Sequence, residues 1–356
     1  MKLSSVGCLL FVLALLPLSS LTLSVANASV PSNELSSANF QASDLIVNTN
    51  TVLPAGTYTY NNVIVTNNAT LTLQGDTTGG TGVTINANSV QVDMGSKIIS
   101  DGQGYVGTDG DGAGVGGGKG GYWVGAGGGY GGLGGNAYDG HSGGVAYGSV
   151  TEPSMLGSAG GAGVIGSTYY AGGNGGGAIR FVVSGTLTIN GTLSANGSNG
   201  TAGRTGGGSG GSIWVTTNVL AGSGVIQSNG GIGSGDYPGG GGAGGRIALY
   251  YDTNTLPFDA THLQTYGGSG YQYGGPGTIF SRKMSEDANG VLRIFNQPNP
   301  SQPTPLYGVA GGSVTFDQVI VGNNATLLLV PYNNGNTNYT DDSTFVLNAN
   351  NILIDS

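Results

Sequence analysis

Three phrases of one pattern follow each other in this sequence: GGNGGGAIRFVV (residues 172–183), GGGSGGSIWVTT (206–217) and GGGGAGGRIALYYD (239–252). The isoleucines that open the apolar runs are Ile179, Ile213 and Ile247, at equal spacings of 213 − 179 = 34 and 247 − 213 = 34. A fixed period of this length is typical of repeat architectures, in which each unit buries its apolar face against its neighbours. The stretch therefore predicts a stack of equivalent units.

Within each unit, apolar and polar residues alternate as they do in a half-buried strand. A weaker fourth copy, GGPGTIFSRK, places Ile279 after the third copy at a spacing of 279 − 247 = 32. We expect equivalent strands to stack about 4.8 Å apart in parallel ladders. The predicted inner column is Ile179, Ile213, Ile247 and Ile279. The predicted outer column is Arg180, Trp214, Ala248 and Phe280.

The composition limits the class of protein and its partners. Glycine accounts for 74 of 356 residues, about three times the ~7% of an average protein, and it lacks the strict period of collagen. Because 38% of the residues are apolar and only 8% are charged, simple disorder fits poorly. The 18 acidic against 9 basic residues give a net charge of −9, which argues against nucleic acid and anionic membranes as partners.

The first residues have the pattern of a secretory signal peptide. Lys2 precedes an apolar core at residues 8–18, and Ala26-Asn27-Ala28 fits the small-residue cleavage site. That core is shorter than the ~20 residues of a membrane-spanning helix. We predict a signal peptide at residues 1–28, a linker at 29–43, and no transmembrane segment once the signal is removed. The mature chain then has no cysteine, because Cys8 is the only one, and it is secreted or attached to the cell surface.

A longer repeat frames the three phrases. TYTYNNVIVTNNATLTL (57–73) matches SVTFDQVIVGNNATLLL (313–329) at an offset of 313 − 57 = 256. VTINANSVQVDM (83–94) matches FVLNANNILIDS (345–356) at an offset of 356 − 94 = 262. The second copy ends in mid-phrase, which exposes strand edges. We expect either a fragment of a longer protein or an end that another element covers.

These repeats predict the domain organisation. A glycine-rich β-solenoid module is expected at residues 44–284, a linker at 285–305, and the start of a second, truncated module at 306–356. The fold class is all-β, a right-handed parallel β-helix with a long glycine-rich insertion.

The insertion, residues 101–175, allows two interpretations. Runs such as GAGVGGGKGGYWVGAGGGYGGLGGNAYDG (112–140) are too rich in glycine for an ordinary sheet. They could form a flexible loop, or a packed bundle of extended, polyglycine-II-like segments whose bare backbones pair closely. The interspersed aromatic residues favour packing, since disordered segments are poor in them.

Residues 57–329 resemble the glycine-rich parallel β-helix proteins of microbial cell surfaces, many of them adhesin-like. The resemblance rests on GGGSGGSIWV, GVIQSNGG, GGGGAGGRIALYY and NNATLTL. The glycine tracts are also similar to glycine-rich domains of some animal receptor ectodomains, with less specificity. The resemblance implies secretion, a rod-like shape, and a role in attachment or envelope structure, and it brings no catalytic motif.

Catalytic chemistry has little support in the sequence. A β-helical polysaccharide lyase or glycoside hydrolase, the enzyme alternative, needs converging carboxylates, whereas Asp93, Asp252 and Asp317 are scattered. Asp341 and Asp342 are adjacent but lie in a polar loop. His141 and His262 have no acidic cluster at metal-ligand spacing. We therefore predict a structural or adhesive protein without catalytic activity.

Two binding sites remain as hypotheses. Asp109 and Asp111 in TDGDGAG offer oxygen ligands for calcium, the one cofactor that the sequence suggests, or are merely turn residues. Aromatic side chains suit stacking on glycans or on other proteins, or they fill gaps between glycine segments. The predicted stacking residues are Tyr122, Trp123, Tyr130 and Tyr138. The expected partners are cell-surface glycans or proteins, or further copies of the chain, and a glycan-binding module is a second alternative function.

Overall fold

The computed structural model describes residues 43–121, 123–297, 299–308, 313–331 and 345–355. All of them belong to one compact unit, Ser37–Ser356. The predicted signal peptide, nearly all of the predicted linker at 29–43, Tyr122, Asp341 and Asp342 lie outside the described residues.

The described part of the chain is all-β and contains no helix. Accordingly, no described segment is a helix long and apolar enough to cross a membrane. The strands are β1 (Leu45–Val47), β2 (Thr51–Leu53), β3 (Gly56–Val65), β4 (Thr70–Leu73), β5 (Val83–Val92), β6 (Lys97–Ile99), β7 (Gly163–Ile165), β8 (Thr168–Tyr170), β9 (Ala178–Ile189), β10 (Thr192–Ser194), β11 (Ser212–Ala221), β12 (Val225–Gln227), β13 (Arg246–Tyr251), β14 (Thr253–Asn254), β15 (Leu263–Gln264), β16 (Thr278–Lys283), β17 (Val291–Phe295), β18 (Thr304–Tyr307), β19 (Ser313–Gly322), β20 (Leu327–Val330) and β21 (Val346–Ile354).

The larger sheet has 11 strands in the order β1-β3-β5-β9-β11-β13-β16-β17-β19-β21, with β14 beside β11. Its pairs are parallel except β16–β17, which is antiparallel. The predicted inner column is confirmed: Ile179, Ile213, Ile247 and Ile279 are successive register partners, and all are buried. The equal spacing of the isoleucines therefore measures one step of this stack.

A second sheet of 6 parallel strands has the order β15-β12-β10-β6-β4-β2. Its buried column is Leu71, Ile98, Leu193, Ile226 and Leu263. This column and the isoleucine column belong to one hydrophobic core. Each added strand pair buries further aliphatic side chains. Full burial of one such side chain contributes roughly 1.5–3 kcal/mol to the stability of the folded state.

The glycine-rich segments form a hydrogen-bonded array that we call the glycine bundle. Its segments are residues 125–135, 157–162, 172–177, 195–200, 206–211, 228–233, 239–245, 265–269 and 272–277. The N–H groups of residues 206–211 donate to three neighbouring segments in turn, and the cycle repeats after three residues. The pairs are Gly206→Gly161, Gly207→Gly240, Gly208→Ser198, Ser209→Ser158, Gly210→Ala243 and Gly211→Ala195.

The carbonyl groups of the same segment accept from other neighbours. Gly206, Gly207 and Gly208 accept hydrogen bonds from the N–H groups of Gly173, Gly128 and Gly231, which belong to three further segments. Segment 206–211 is thus surrounded on all sides by other backbones. Residues 240–245 repeat the three-residue cycle, donating to residues 125–128, 272–275 and 228–231.

Glycine is required in this array because the backbones approach so closely. A Cβ atom at Gly207 would lie 2.0 Å from the carbonyl oxygen of Gly231, and one at Gly241 would lie 1.9 Å from that of Gly268. Such distances are far inside van der Waals contact, so neither backbone could keep its position. The glycine content therefore follows from packing.

Residues 147–156 cross the outer face of the larger sheet. The hydroxyl of Tyr250 donates to the carbonyl of Thr151 at 3.0 Å, and the Arg246 side chain donates through Nε to the carbonyl of Tyr147 at 2.9 Å. Ala248, predicted for the outer column, lies between Arg246 and Tyr250 on β13 and is buried. Phe280, also predicted for that column, is buried with the ring centroids of Tyr250 and Phe316 at 5.6 Å and 6.1 Å from its own. Both keep the predicted register, but the groups that cover them are not revealed by the repeat.

The longer repeat is preserved in the pairing of strands. Tyr58 pairs with Ile85 between β3 and β5, and the equivalent Val314 pairs with Leu347 between β19 and β21. The connecting NNAT turn also recurs, because Asn67, Asn68, Asn323 and Asn324 all have positive φ, between 56° and 58°. Residues 285–305, predicted as a linker, contain β17, which pairs with β16 and β19.

Candidate functional site

Four exposed aromatic side chains gather at one place on the glycine bundle, and we call them the aromatic face. They are Trp123, Tyr138, Tyr237 and Tyr271, with exposed fractions of 54%, 48%, 44% and 49%. Contiguous exposed patches of large apolar side chains are uncommon on soluble proteins, and they mark interaction surfaces. The aromatic face is therefore the candidate site.

The rings form a continuous chain of contacts. Ring centroids are 6.3 Å apart for Trp123 and Tyr237, 5.3 Å for Tyr237 and Tyr138, and 5.3 Å for Tyr138 and Tyr271. The interplanar angles rise from 31° to 56° and then 79° along this chain. These are the offset and edge-to-face arrangements that aromatic pairs prefer, so each ring holds its neighbour while it keeps part of its own surface in solvent.

Arg204 adds a positive charge to the aromatic face. Its guanidinium carbon lies 5.0 Å from the Trp123 ring centroid and 4.8 Å from that of Tyr237, within cation–π range. The Arg204 backbone has φ of 69°, a left-handed conformation that is uncommon for residues other than glycine. Backbone outliers of this kind cluster at binding sites, and this one directs the side chain between two rings.

The glycine bundle places the aromatic face. The N–H of Gly125, two residues after Trp123, donates to the carbonyl of Arg204, and the N–H of Gly240 donates to the carbonyl of Gly125. The N–H of Tyr271 donates to the carbonyl of Gly239. The rings therefore stand on residues at the ends of bundle segments, where the chain turns and side chains again have room.

A polar pair borders the aromatic face next to Trp123. Nδ1 of His141 lies 2.7 Å from Oδ1 of Asp139, and the N–H of Val124 donates to the other carboxylate oxygen at 3.3 Å. The carboxylate is thus held by the backbone that follows Trp123. His262 makes a similar pair elsewhere, with Nδ1 2.8 Å from Oδ1 of Asp259.

The predicted stacking residues have different positions in the structure. Trp123 and Tyr138 belong to the aromatic face, and Tyr122 lies outside the described residues. Tyr130 is fully buried, with its hydroxyl 2.5 Å from Oγ of Ser212, and burial raises the pKa of this phenol. Its ring fills space within the bundle and cannot stack on an external ligand.

Sequence analysis missed Tyr237 and Tyr271, although the sequence carries a signal for them. Their spacing, 271 − 237 = 34, equals the period of the isoleucine column. Each stands in a turn between two bundle segments, so equivalent turns bring both rings to the same face. The predicted set contains only aromatic residues of the insertion.

The predicted calcium ligands do not converge with other acidic groups. Asp111 accepts hydrogen bonds from Nζ of Lys119 at 2.6 Å and from the N–H of Gly120 at 2.9 Å. These bonds, that of Lys119 above all, lower the pKa of the Asp111 carboxyl. Within the described ranges no three His, Cys, Asp or Glu side chains are grouped to hold a metal. Calcium at Asp109 and Asp111 stays a prediction.

The scattered carboxylates have local hydrogen-bond partners. Asp93 accepts from Nε2 of Gln91 at 2.6 Å, and hydrogen bonds from Thr66 and Gln91 lower its pKa. Asp317 accepts from the N–H of Gly290 at 2.8 Å. These contacts anchor turns and strand ends.

Comparison with known proteins gives no relative: no protein-family model matches the chain, and searches of curated proteins and of solved structures find no match either.

Proposed function

We propose that this protein is a secreted or surface-attached structural and adhesive protein without catalytic activity, built as a right-handed parallel β-solenoid. Two long parallel sheets that share one core support this architecture. The glycine bundle is a polyglycine-II-like lattice, and its three-residue hydrogen-bond cycle supports this because a polyproline-II-type helix has three residues per turn. Secretion rests on the signal-peptide pattern alone.

The observation that carries the adhesive role is the aromatic face on the glycine bundle. Hydrogen bonds within the bundle fix the backbone beside Trp123, Tyr237 and Tyr271, so these rings are held in place before any partner arrives. Preorganisation of this kind lowers the entropic cost of binding. A rigid scaffold that presents exposed aromatic rings suits attachment to a partner better than it suits catalysis.

The partner that the aromatic face suits best is a glycan. Aromatic rings pack against the apolar faces of sugar rings, while Arg204 and the Asp139 carboxylate can hydrogen-bond to hydroxyl groups at the border. The rings are only partly exposed and are tilted relative to one another, so a bound glycan would contact a small surface of each ring. We expect modest affinity at one face, which repetition of the protein on a surface would strengthen.

A glycan array with the full chain tests the proposal. We expect binding that Trp123→Ala and Tyr237→Ala each weaken by at least about tenfold, since a truncated aromatic anchor removes about 2 kcal/mol or more. The matched control is Tyr307→Ala, because Tyr307 is also exposed but lies on β18, which pairs with β20. Absence of glycan binding by the unmodified chain, or equal losses in the three variants, contradicts the glycan role.

A further inference from the structure

A cleft crosses three neighbouring segments of the glycine bundle, residues 195–200, 228–233 and 265–269. Its volume is about 340 Å³, within the ~300–1,000 Å³ typical of small-molecule sites. None of the described residues that line it belongs to the aromatic face. The cleft is therefore a separate candidate site.

The side chains of the cleft stand in two rows, three residues apart along each segment. The N–H of Gly197 donates to the carbonyl of Asn229, and three residues further on the N–H of Gly200 donates to the carbonyl of Ile232. A backbone with three residues per turn returns to the same side after each turn, roughly 9 Å further along. The first row is Asn196, Asn229 and Tyr266, and the second is Asn199, Ile232 and Ser269.

Glycine backbone forms the floor between the two rows. A Cβ atom at Gly230 would lie 2.0 Å from the carbonyl oxygen of Gly242, and one at Gly267 would lie 1.8 Å from that of Gly274. The floor is thus packed directly against other backbones of the glycine bundle, and it cannot shift without breaking that packing. The cleft is a preformed feature.

The first row is a ladder of side-chain hydrogen bonds. Oδ1 of Asp101 accepts from the N–H of Asn196 at 2.7 Å, and Oδ1 of Asn196 accepts from the N–H of Asn229 at 2.7 Å. Oδ1 of Asn229 then accepts from the N–H of Tyr266 at 2.8 Å. The hydroxyl of Tyr266 donates to the carbonyl of Ala260, which holds the ring at the end of the ladder.

The second row and Gln297 provide polar groups that a ligand can reach. Oδ1 of Asn199 accepts from the N–H of Ile232 at 2.8 Å, whereas its Nδ2 has no partner among the described residues. The same holds for Oγ of Ser269 and for the side-chain amide of Gln297. Asn199 and Gln297 are exposed and Ser269 is partly exposed. These groups are therefore open to a ligand in the cleft.

The lining residues define the chemistry of that ligand. Among those that the structure describes, Tyr266 has the one ionisable side chain, and burial raises its pKa, so the lining is uncharged at neutral pH. Amide and hydroxyl groups together donate and accept hydrogen bonds, as the hydroxyls of a sugar do. The half-buried ring of Tyr266 adds an aromatic surface for the apolar face of a sugar ring.

We propose that this cleft binds a neutral saccharide. Nδ2 of Asn199 and the amide of Gln297 donate to sugar oxygens, Oγ of Ser269 pairs with a sugar hydroxyl, and the ring of Tyr266 packs against a sugar ring. The site is additional to the aromatic face and does not depend on the function proposed for it.

Calorimetry tests the proposal in a Trp123→Ala, Tyr237→Ala double variant, in which the aromatic face has lost two of its rings. The probes are trisaccharides of glucose, of galactose and of mannose. We expect saturable binding of at least one of them, with a Kd below about 10 mM. A glucuronic acid trisaccharide should bind more weakly, because the cleft has no positive charge and the protein carries a net charge of −9.

Two further substitutions in this background locate the binding. Asn199→Asp keeps an acceptor for the N–H of Ile232 but removes the Nδ2 donor, and Gln297→Ala removes an exposed amide. Each should raise the Kd at least about threefold, as expected for a lost hydrogen bond. Asn50→Asp is the matched control and should leave the Kd unchanged. Oδ1 of Asn50 also accepts a backbone N–H, that of Thr70 at 2.9 Å, but Asn50 lies outside the cleft.

Nuclear magnetic resonance on the unmodified chain decides the matter even if a variant fails to fold. The side-chain NH₂ resonances of Asn199 and Gln297 should shift in a saturable way with the trisaccharide that binds best. Unchanged resonances, no binding of any neutral trisaccharide up to about 10 mM, or tighter binding of the acidic one overturns the proposal, and so do equal affinities of the Asn199→Asp and Asn50→Asp variants.

The double variant also separates this proposal from the function proposed for the aromatic face. Neutral trisaccharides that bind the unmodified chain but not the double variant would place binding on the aromatic face alone, which overturns the proposal for the cleft and leaves the other intact. Binding that the double variant retains and Asn199→Asp weakens supports the cleft, whatever the aromatic face binds.

Discussion

The N–H of Gly207 donates to the carbonyl of Gly240 at 3.0 Å, across a space that leaves no room for a side chain at either residue. A Cβ atom at Gly207 would lie 2.0 Å from the carbonyl oxygen of Gly231, and one at Gly240 would lie 1.9 Å from that of Gly135. The pair shows how the glycine bundle is stabilised. Close backbone packing and hydrogen bonds take the place of an interior of apolar side chains.

Substitution of Gly207 by alanine should therefore destabilise the protein by about 3 kcal/mol or more, the upper range for overpacking. The measurement is the free energy of unfolding in urea. Gly110→Ala is the matched control, because a Cβ atom there meets nothing within 4 Å, and its effect should stay within about 0.5 kcal/mol. Equal stability of the two variants would contradict the close packing.

A charge in the buried isoleucine column should also cause a large loss of stability. Ile213→Asp places a carboxylate in the shared core, where Ile213 is fully buried, and unpaired buried charge is strongly destabilising. We expect loss of the cooperative thermal transition. Ile46→Asp provides the comparison, since Ile46 belongs to the same sheet but is 60% exposed, and this variant should melt close to wild type.

Substitutions in the Asn67-Asn68 turn should change the melting temperature less, and the size of the change should depend on the residue introduced. Asn67 has φ of 58°, which costs a residue with a Cβ atom about 1–2 kcal/mol and costs glycine little. Asn67→Ala should lower the melting temperature, and Asn67→Gly should change it less, although both variants lose the hydrogen bond from Nδ2 to the carbonyl of Asn48. The reverse order would mean that backbone conformation does not control this turn.

Two substitutions of Arg246 distinguish the contributions of side-chain volume and of charge to the stability of the protein. Its buried guanidinium donates to the carbonyl of Tyr147 and, at 3.0 Å, to Oγ1 of Thr278, and it lies 5.7 Å from the Tyr130 ring centroid. Arg246→Ala should cost about 3 kcal/mol or more because it leaves a cavity. Arg246→Met fills most of the volume and removes a desolvated charge, so it should cost about 1.5 kcal/mol or less. Similar losses in both variants would assign the role to the hydrogen bonds.

Alkaline pH should weaken the segment that crosses the sheet. Burial, reinforced by the charge of Glu152, raises the pKa of Tyr250 to about 12 from its usual value of about 10. The folded state then keeps a proton that the unfolded state loses, so this stabilisation is complete below about pH 10 and is lost as pH rises towards 12. Urea unfolding at a series of alkaline pH values should show a steeper decline for wild type than for Tyr250→Phe. Parallel declines would show that Tyr250 titrates normally.

Several features could be predicted from particular residues. The equal spacing of Ile179, Ile213 and Ile247 predicts their register, because the same length of chain separates each isoleucine from the next and returns to the same level of the sheet. The same period relates Tyr237 to Tyr271. In the insertion, glycine content together with aromatic residues favours order, and the segments there are joined by hydrogen bonds.

The candidate sites depended on contacts that no local pattern records. Tyr130 and Tyr138 look alike in the sequence, yet Tyr130 is buried against Ser212 and Tyr138 packs on Tyr237 at the surface. Neighbouring glycines give no indication of which side of a segment meets another backbone. Of the aromatic face, Trp123 and Tyr138 are among the residues that the sequence singles out, whereas Arg204 is not, and a stacking role for them stays a prediction.

The sequence by itself determined the repeating unit, the inner column and the turns, because these depend on periodicity and on the backbone preferences of single residues such as Asn67. Only the tertiary structure decided where residues 147–156 lie. Their crossing covers Ala248, between Arg246 and Tyr250, while Arg180 and Trp214 line a cleft. The physical reason is that alternation in a strand distinguishes two faces, whereas the cover of the second face comes from contacts between segments far apart in the chain.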